Sequence, residues 1–165
     1  MNWYLIFTKP RQECRALENL QHQGFECYLP LLLSETVSGG AFSILPKPLF
    51  PRYLFIRLGH EQGSKSWAPI RSTKGVSKLV TFGSQPAKVH DELVTFLKEY
   101  EANLQSTPQK LFVAGERVRL LEGPFAGLEG VYQMSDGDRR VMVLIEMLSK
   151  PVSIHLAPTS IRKLA

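Results

Sequence analysis

The sequence predicts an α+β fold: an N-terminal antiparallel sheet flanked by helices, a linker, and a small C-terminal β-barrel. Three observations carry this. Apolar strand-like runs and amphipathic helical stripes alternate through residues 1–100. A polar stretch without apolar period follows at 101–110. Short extended segments punctuated by glycine fill the remainder.

Trp3-Tyr4-Leu5-Ile6-Phe7 is an aromatic and aliphatic run suited to a buried strand. Pro10 suits the first turn of a helix and Gly24 its end, with Cys14, Leu17 and Leu20 as its apolar stripe. Phe25, Cys27 and Leu29 alternate as a strand does. Ser38-Gly39-Gly40 is a loop tip between two extended arms, the second leading into residues 49–58. Gly75 precedes a strand over 76–82, and Val89, Leu93, Phe96, Leu97 and Tyr100 mark a second amphipathic helix. This order implies a small sheet with helices packed on one face.

The domains implied are 1–100, a linker at 101–110, and 111–165. In the last, 117–122, 131–134 and 140–145 read as strands, with Asp136-Gly137 as a hairpin turn. Val141, Leu144, Ile145 and Leu148 also fit a helical stripe, so periodicity leaves that segment open between strand and helix. Pro151 and Pro158 argue against one long helix through the end of the chain.

Apolar residues make up 44% of the 165 and charged residues 21%, which supports a packed core and excludes wholesale disorder. The net charge is +5, and residues 1–100 hold 12 Lys+Arg against 8 Asp+Glu, so any polyanion contact is expected on the first half. No apolar run approaches the ~20 residues needed to span a bilayer, and residues 1–7 lack the basic start of a secretion signal. Cys14 and Cys27 form no C-x-x-C pair, so a cytoplasmic chain with reduced thiols is expected, Cys14 in the core of its helix. His22, His60, His90 and His155 are scattered, none at metal-ligand spacing from the cysteines, and no phosphate-cradling or nucleophile motif is present. The expectation is a binding protein: no enzyme, no cofactor, no metal.

Two surfaces stand out. At about 100° per residue, Arg11, Arg15, Asn19 and His22 share the polar face of the first helix, adjoined by Lys9 and Gln12. Arg71, Lys74 and Lys78 form a further basic cluster. Arginine forks grip phosphates, and Gln and Asn read base edges; the alternative is an ordinary solvated face. Around Pro48-Leu49-Phe50-Pro51-Arg52-Tyr53-Leu54-Phe55, Tyr53 and Phe55 would project to one side and Leu54 and Ile56 to the other. Either this strand is covered on both sides, or one face awaits a partner. Trp67 reads as core.

Trp3-Tyr4 followed by Lys9-Pro10-Arg11, the segment from Pro48 to Ile56, and Ile70-Arg71-Ser72-Thr73-Lys74-Gly75-Val76 resemble the N-terminal domain of NusG-type transcription elongation factors. Gly115-Glu116-Arg117-Val118 with the run from Glu122 to Val131 resembles the KOW motif of that family, at Gly123, Pro124, Phe125, Gly127 and Gly130. Tyr4-Leu5, Arg15-Ala16, Lys74-Gly75-Val76-Ser77, Phe82-Gly83 and Ile161-Arg162-Lys163-Leu164 are similar to RfaH-type specialised antitermination paralogues.

That resemblance implies an operon-specific elongation and antitermination factor. It would bind the β′ clamp helices of RNA polymerase through Leu49, Phe50, Pro51, Tyr53 and Phe55. It would bind the exposed non-template DNA strand through Lys9, Gln12, Arg15, Asn19, Arg71, Thr73 and Lys74. It also implies a monomer away from membranes, whose barrel meets a small-subunit ribosomal protein or Rho. The RfaH-type His-Thr-Thr-Thr run that meets the polymerase β subunit reads Ser66-Trp67-Ala68-Pro69 here, and a histidine of that type is Asn19. RfaH-type C-terminal domains also fold as a helical hairpin over the aromatic patch, with a Glu–Arg bridge between domains. The matching positions here are Lys47 and Arg140, like charges that repel. An accessible barrel is therefore expected, with a helical hairpin as the alternative autoinhibited state, any masking resting on apolar burial of Phe50 and Tyr53. The rivals are a general NusG-type factor engaging Rho, and a KOW-type ribosomal or RNA-binding protein.

Overall fold

The computed structural model describes residues 1–59, 67–106 and 128–149. In chain order its elements begin with β1 (Asn2–Thr8), α1 (Glu13–His22), β2 (Glu26–Tyr28), β3 (Leu31–Ser38), β4 (Ala41–Pro48) and β5 (Tyr53–Leu58). They continue with α2 (Ala68–Arg71), β6 (Val76–Leu79), β7 (Thr81–Phe82), β8 (Gln85–Pro86), β9 (Lys88–Val89) and α3 (Asp91–Ser106). α4 (Leu128–Val131) and α5 (Gly137–Ser149) follow.

The opening run forms the middle of a five-stranded antiparallel sheet. β1 pairs with β5 from Asn2 opposite Leu58 to Phe7 opposite Tyr53, and β2 extends the sheet beyond β5. β6 and β9 share the other edge of β1. β3 and β4 form a separate two-stranded ribbon turning at Gly39 and Gly40, both at positive φ, which glycine adopts without steric cost.

Successive side chains of β1 point to opposite faces, and both faces are apolar. Trp3 and Leu5 join one buried cluster with Phe55, Leu93, Val94 and Leu97. Tyr4 and Ile6 join another with Leu54, Ile56, Ala16, Leu20 and Ile70. Helices therefore cover both faces of the sheet, not one as the element order suggested: α1 and α2 lie on one side, α3 on the other.

Three further expectations are corrected. Cys14 is exposed, because the inward stripe of α1 is Glu13, Ala16 and Leu20. Glu13 takes the inward place because its carboxylate accepts the Arg52 backbone N–H at 3.2 Å. Val89 belongs to β9 opposite Trp3, so the helix after it begins at Asp91. That helix continues through Ser106, into the stretch read as linker, where Glu101 accepts the Tyr28 hydroxyl at 2.6 Å and the Leu31 N–H at 3.2 Å.

In the C-terminal region the described residues follow the helical alternative rather than the barrel strands. Residues 117–122 and Gly123, Pro124, Phe125 and Gly127 lie outside the described residues, while Gly130 lies in α4. Over 131–145, the two strands expected around Asp136-Gly137 are replaced by a turn and the 13-residue helix α5. Asp136 starts that helix rather than a hairpin: its Oδ1 accepts the Asp138 N–H at 2.9 Å, and its carbonyl accepts the Arg140 N–H at 3.2 Å. The helical stripe is the one realised, with Leu144 fully buried and Val141, Ile145 and Leu148 packed around it.

Gly75 marks a close approach of the turn after α2 to α1. It sits at φ +94°, and a Cβ there would lie 2.7 Å from the Ala16 backbone nitrogen. Gly75→Ala should therefore destabilise the chain by about 2 kcal/mol or more. Urea unfolding measures this, and wild-type stability in the variant would contradict the packing described.

Candidate functional site

Two surfaces meet across β1. The first is the basic edge built by α1 and the turn after α2. The helix begins at Glu13, so Arg11 lies in the preceding turn at φ 60° rather than on the helix. Asn19 Nδ2 donates to the carbonyls of Arg15 at 2.9 Å and Lys74 at 3.3 Å. Gln23 Nε2 donates to Thr73 Oγ1 at 2.7 Å, and the Lys9 N–H donates to the Gly75 carbonyl at 2.8 Å. These bonds bring Lys9, Arg15, Asn19 and Lys74 to one edge, with Lys9, Arg15, Arg71 and Lys74 exposed and Gln12 half-buried. Thr73 is only 6% exposed, and its hydroxyl donates to the Pro69 carbonyl at 2.8 Å. It holds the turn in place and does not face solvent.

The second surface is the aromatic turn before β5. Arg52 adopts φ 72°, a conformation costly for a residue with a side chain. The turn is held on three sides. Arg52 and Thr8 exchange bonds, N–H of Thr8 to the Arg52 carbonyl at 2.8 Å and Arg52 Nε to the Thr8 carbonyl at 3.1 Å. Glu13 accepts the Arg52 N–H, and the Arg52 guanidinium lies 4.0 Å over the Phe7 ring. Phe7 also packs against Tyr53, ring centroids 5.1 Å apart, and Lys78 Nζ lies 5.9 Å from the Phe7 ring centre. Phe7 thus joins the aromatic turn to the basic cluster. Sequence reasoning treated it only as strand, and its position opposite Lys78 and Tyr53 was the signal available.

Of the expected polymerase-contact residues, Leu49, Phe50 and Phe55 are fully buried, while Pro51 and Tyr53 are half-buried. Phe55 is covered within the sheet, its ring edge-on to Phe50 at 6.4 Å. Leu49 and Phe50 belong to the cluster that holds Leu128, Val131, Tyr132 and Leu144 of the C-terminal region. Arg140 Nε donates to the Leu49 carbonyl at 2.6 Å, and Arg140 Nη1 to the Met134 carbonyl at 2.5 Å. A Cβ on Gly137 would fall 2.5 Å from Pro51 Cγ, so α5 rests its first turn on Pro51. Tyr132 stacks on Tyr100 at 4.3 Å, tying α3 to the same cover. Trp67 is half-buried against Tyr4, centroids 5.2 Å apart.

Among the described residues neither Lys47 nor Arg140 forms an opposite-charge bridge, yet the cover is in place, with Arg140 donating to backbone carbonyls. Burial pushes the Cys27 thiol up to about 12, with Glu26 adding to the effect, so it stays protonated and unreactive near neutrality. Among the described residues no group of three His, Cys, Asp or Glu side chains is arranged to hold a metal ion. Among them, no helix is long and apolar enough to cross a membrane.

A family model described as transcription termination factor nusG matches residues 1–98. The transcription termination/antitermination protein NusG of Thermus thermophilus is 28% identical over 94% of this chain and 95% of that protein. The Staphylococcus carnosus protein of the same name is 27% identical over 98% and 95%. A chain from a structure of domain interaction in Thermotoga maritima NusG overlaps 55% of this chain and 51% of its own, at 23% identity and a TM-score of 0.35, and adds nothing to the assignment. With a family model over more than half its length and relatives aligned along nearly all of it, this chain belongs to the NusG family of transcription termination/antitermination factors.

Proposed function

We propose that this chain is a specialised, operon-specific elongation and antitermination factor of its family, whose polymerase-binding patch is masked by its own C-terminal residues. In this reading Leu49, Phe50, Pro51 and Tyr53 meet the β′ clamp helices of RNA polymerase once the cover lifts. Phe55 supports them from within the sheet. Lys9, Gln12, Arg15, Asn19, Arg71 and Lys74 hold the non-template strand, with Thr73 positioning Lys74. The detachable cover is formed by α4 and α5, and when released the C-terminal unit engages a small-subunit ribosomal protein.

The observation that supports this best is the burial of Leu49 and Phe50 under α4 and α5, fastened by the Arg140–Leu49 bond. A factor that joins every elongating polymerase gains nothing from hiding its docking surface. A factor confined to particular sites does, because masking lowers apparent affinity by the fraction of molecules that are closed. The second reading is a general factor that also engages Rho. The near-complete overlap with termination/antitermination proteins of two bacteria favours it. Transcription in vitro separates the two, on templates with and without candidate pause elements: equal recruitment to all templates supports the general factor.

Leu144→Ala should remove about 2–5 kcal/mol of cover packing and raise binding of the free chain to polymerase. Hydrogen exchange across α5 and polymerase pull-down measure the two effects; faster exchange with unchanged binding would exclude masking. Tyr53→Ala should weaken polymerase binding by about 2 kcal/mol or more, as ring anchors at interfaces do, while leaving DNA preference intact. Arg15→Ala and Lys74→Ala should each lower the salt slope of DNA association by about 0.7, the value for one phosphate on a single strand. An unchanged slope in both removes them from the DNA site.

A further inference from the structure

A cavity of about 520 Å³ lies where the β3–β4 ribbon meets the turn between α4 and α5. Its volume falls in the range of small-molecule sites. One wall is the stretch Leu32 to Glu35 with Lys47 of β4; the other is Tyr132 to Ser135 with Arg140. Leu32 and Lys47 are opposite one another in the ribbon register.

Three features of this cleft call for a ligand. Arg140 is 7% exposed and donates Nε and Nη1 to backbone carbonyls; Asp136 is the acidic group that acts on it, and among the described residues no carboxylate comes within ion-pair distance. Lys47 adds a second cation on the facing wall. A buried guanidinium gains from a further anion, which offsets its desolvation, and Lys47 on the facing wall can hold the other end of the same ligand. Glu35 also lines the cavity, so the ligand must carry more than one negative charge to prevail. Among the described residues the hydroxyl of Tyr132, a residue 6% exposed, has no hydrogen-bond partner. Leu32, Met134 and the Tyr132 ring supply apolar surface, and Ser34 and Ser135 supply hydroxyls. Cations, hydroxyls and a ring-bearing apolar wall fit a phosphorylated molecule with a flat heterocycle.

We propose that this cleft binds a nucleoside polyphosphate, which bridges Lys47 and Arg140 and holds the C-terminal helices on the sheet. The ligand touches both walls, so it binds the closed form and shifts the equilibrium towards it. Binding stands apart from the transcriptional reading; its effect on polymerase access rests on that reading.

The test titrates the full chain with ADP and, separately, with pyrophosphate at constant ionic strength. Calorimetry, amide spectra and hydrogen exchange are the readouts. ADP is expected to bind saturably, to shift amides of 32–35 and 133–135, and to slow exchange across α5. Lys47→Gln, at an exposed residue outside the packing, should weaken ADP by about tenfold. Lys47→Glu should abolish ADP binding, because it reverses the charge that meets the phosphates. Three results overturn the proposal: no saturable ADP binding, an affinity unchanged by Lys47→Gln, or shifts confined to α1 and the turn at Lys74. Pyrophosphate binding as tightly as ADP overturns the nucleoside assignment.

Discussion

A strand with no polar face must be covered twice. β5 carries Leu54 and Ile56 on one side and Phe55 on the other, and β1 beside it repeats the pattern with Tyr4 and Ile6 against Trp3 and Leu5. Antiparallel sheets commonly leave one face to water; this one cannot. α1 and α2 close the first face. α3 closes only part of the second, and the remainder, around Leu49 and Phe50, is taken by α4 and α5. Full burial of a large apolar side chain is worth roughly 1.5–3 kcal/mol, so the end of the sheet that presents Phe50 always favours some occupant.

The same strand connects the two candidate surfaces. Thr8, the last residue of β1, exchanges bonds with Arg52 of the aromatic turn, and the next residue, Lys9, is bonded to Gly75 of the basic edge. Glu13 reinforces this from the first turn of α1, where a carboxylate also complements the helix dipole. The positive φ of Arg52 is tolerated because three independent contacts fix it. A surface held by its scaffold in this way loses little entropy on binding. The basic edge and the aromatic turn therefore sit at fixed separation, a requirement for any chain that must touch nucleic acid and a protein partner together.

Much of this was legible in the sequence, and the failures share a cause. The runs 3–7 and 53–56 announced buried strands because they are apolar without alternation, and Ser38-Gly39-Gly40 announced its turn through residues that tolerate left-handed geometry. The phase of α1 was misread because Glu13 looks like a surface residue, and only a backbone donor from Arg52, distant in sequence, brings it inward. The end of α3 was misread because Glu101 earns no place in an apolar stripe, yet it bonds Tyr28 and Leu31. Asp136-Gly137 gave the correct local chemistry and the wrong element, since an Asp side chain that accepts an N–H serves a helix cap as well as a turn. In each case the deciding partner was non-local.

That dependence is sharpest in α5. Val141, Val143 and Ile145 are β-branched residues suited to a strand, while Leu144, Ile145 and Leu148 suit a helix face. A helix of 13 residues is marginal alone in water. Its stability here comes from what it rests on: Leu144 within the Phe50 cluster, the first turn against Pro51, and Arg140 on the Leu49 carbonyl. All three supports belong to the aromatic turn. In the proposed reading, a partner that takes Leu49 and Phe50 for itself removes these supports together and so disfavours α5 as a helix. On that reading the cover and the docking surface are two halves of one equilibrium, set by whichever apolar surface reaches Phe50.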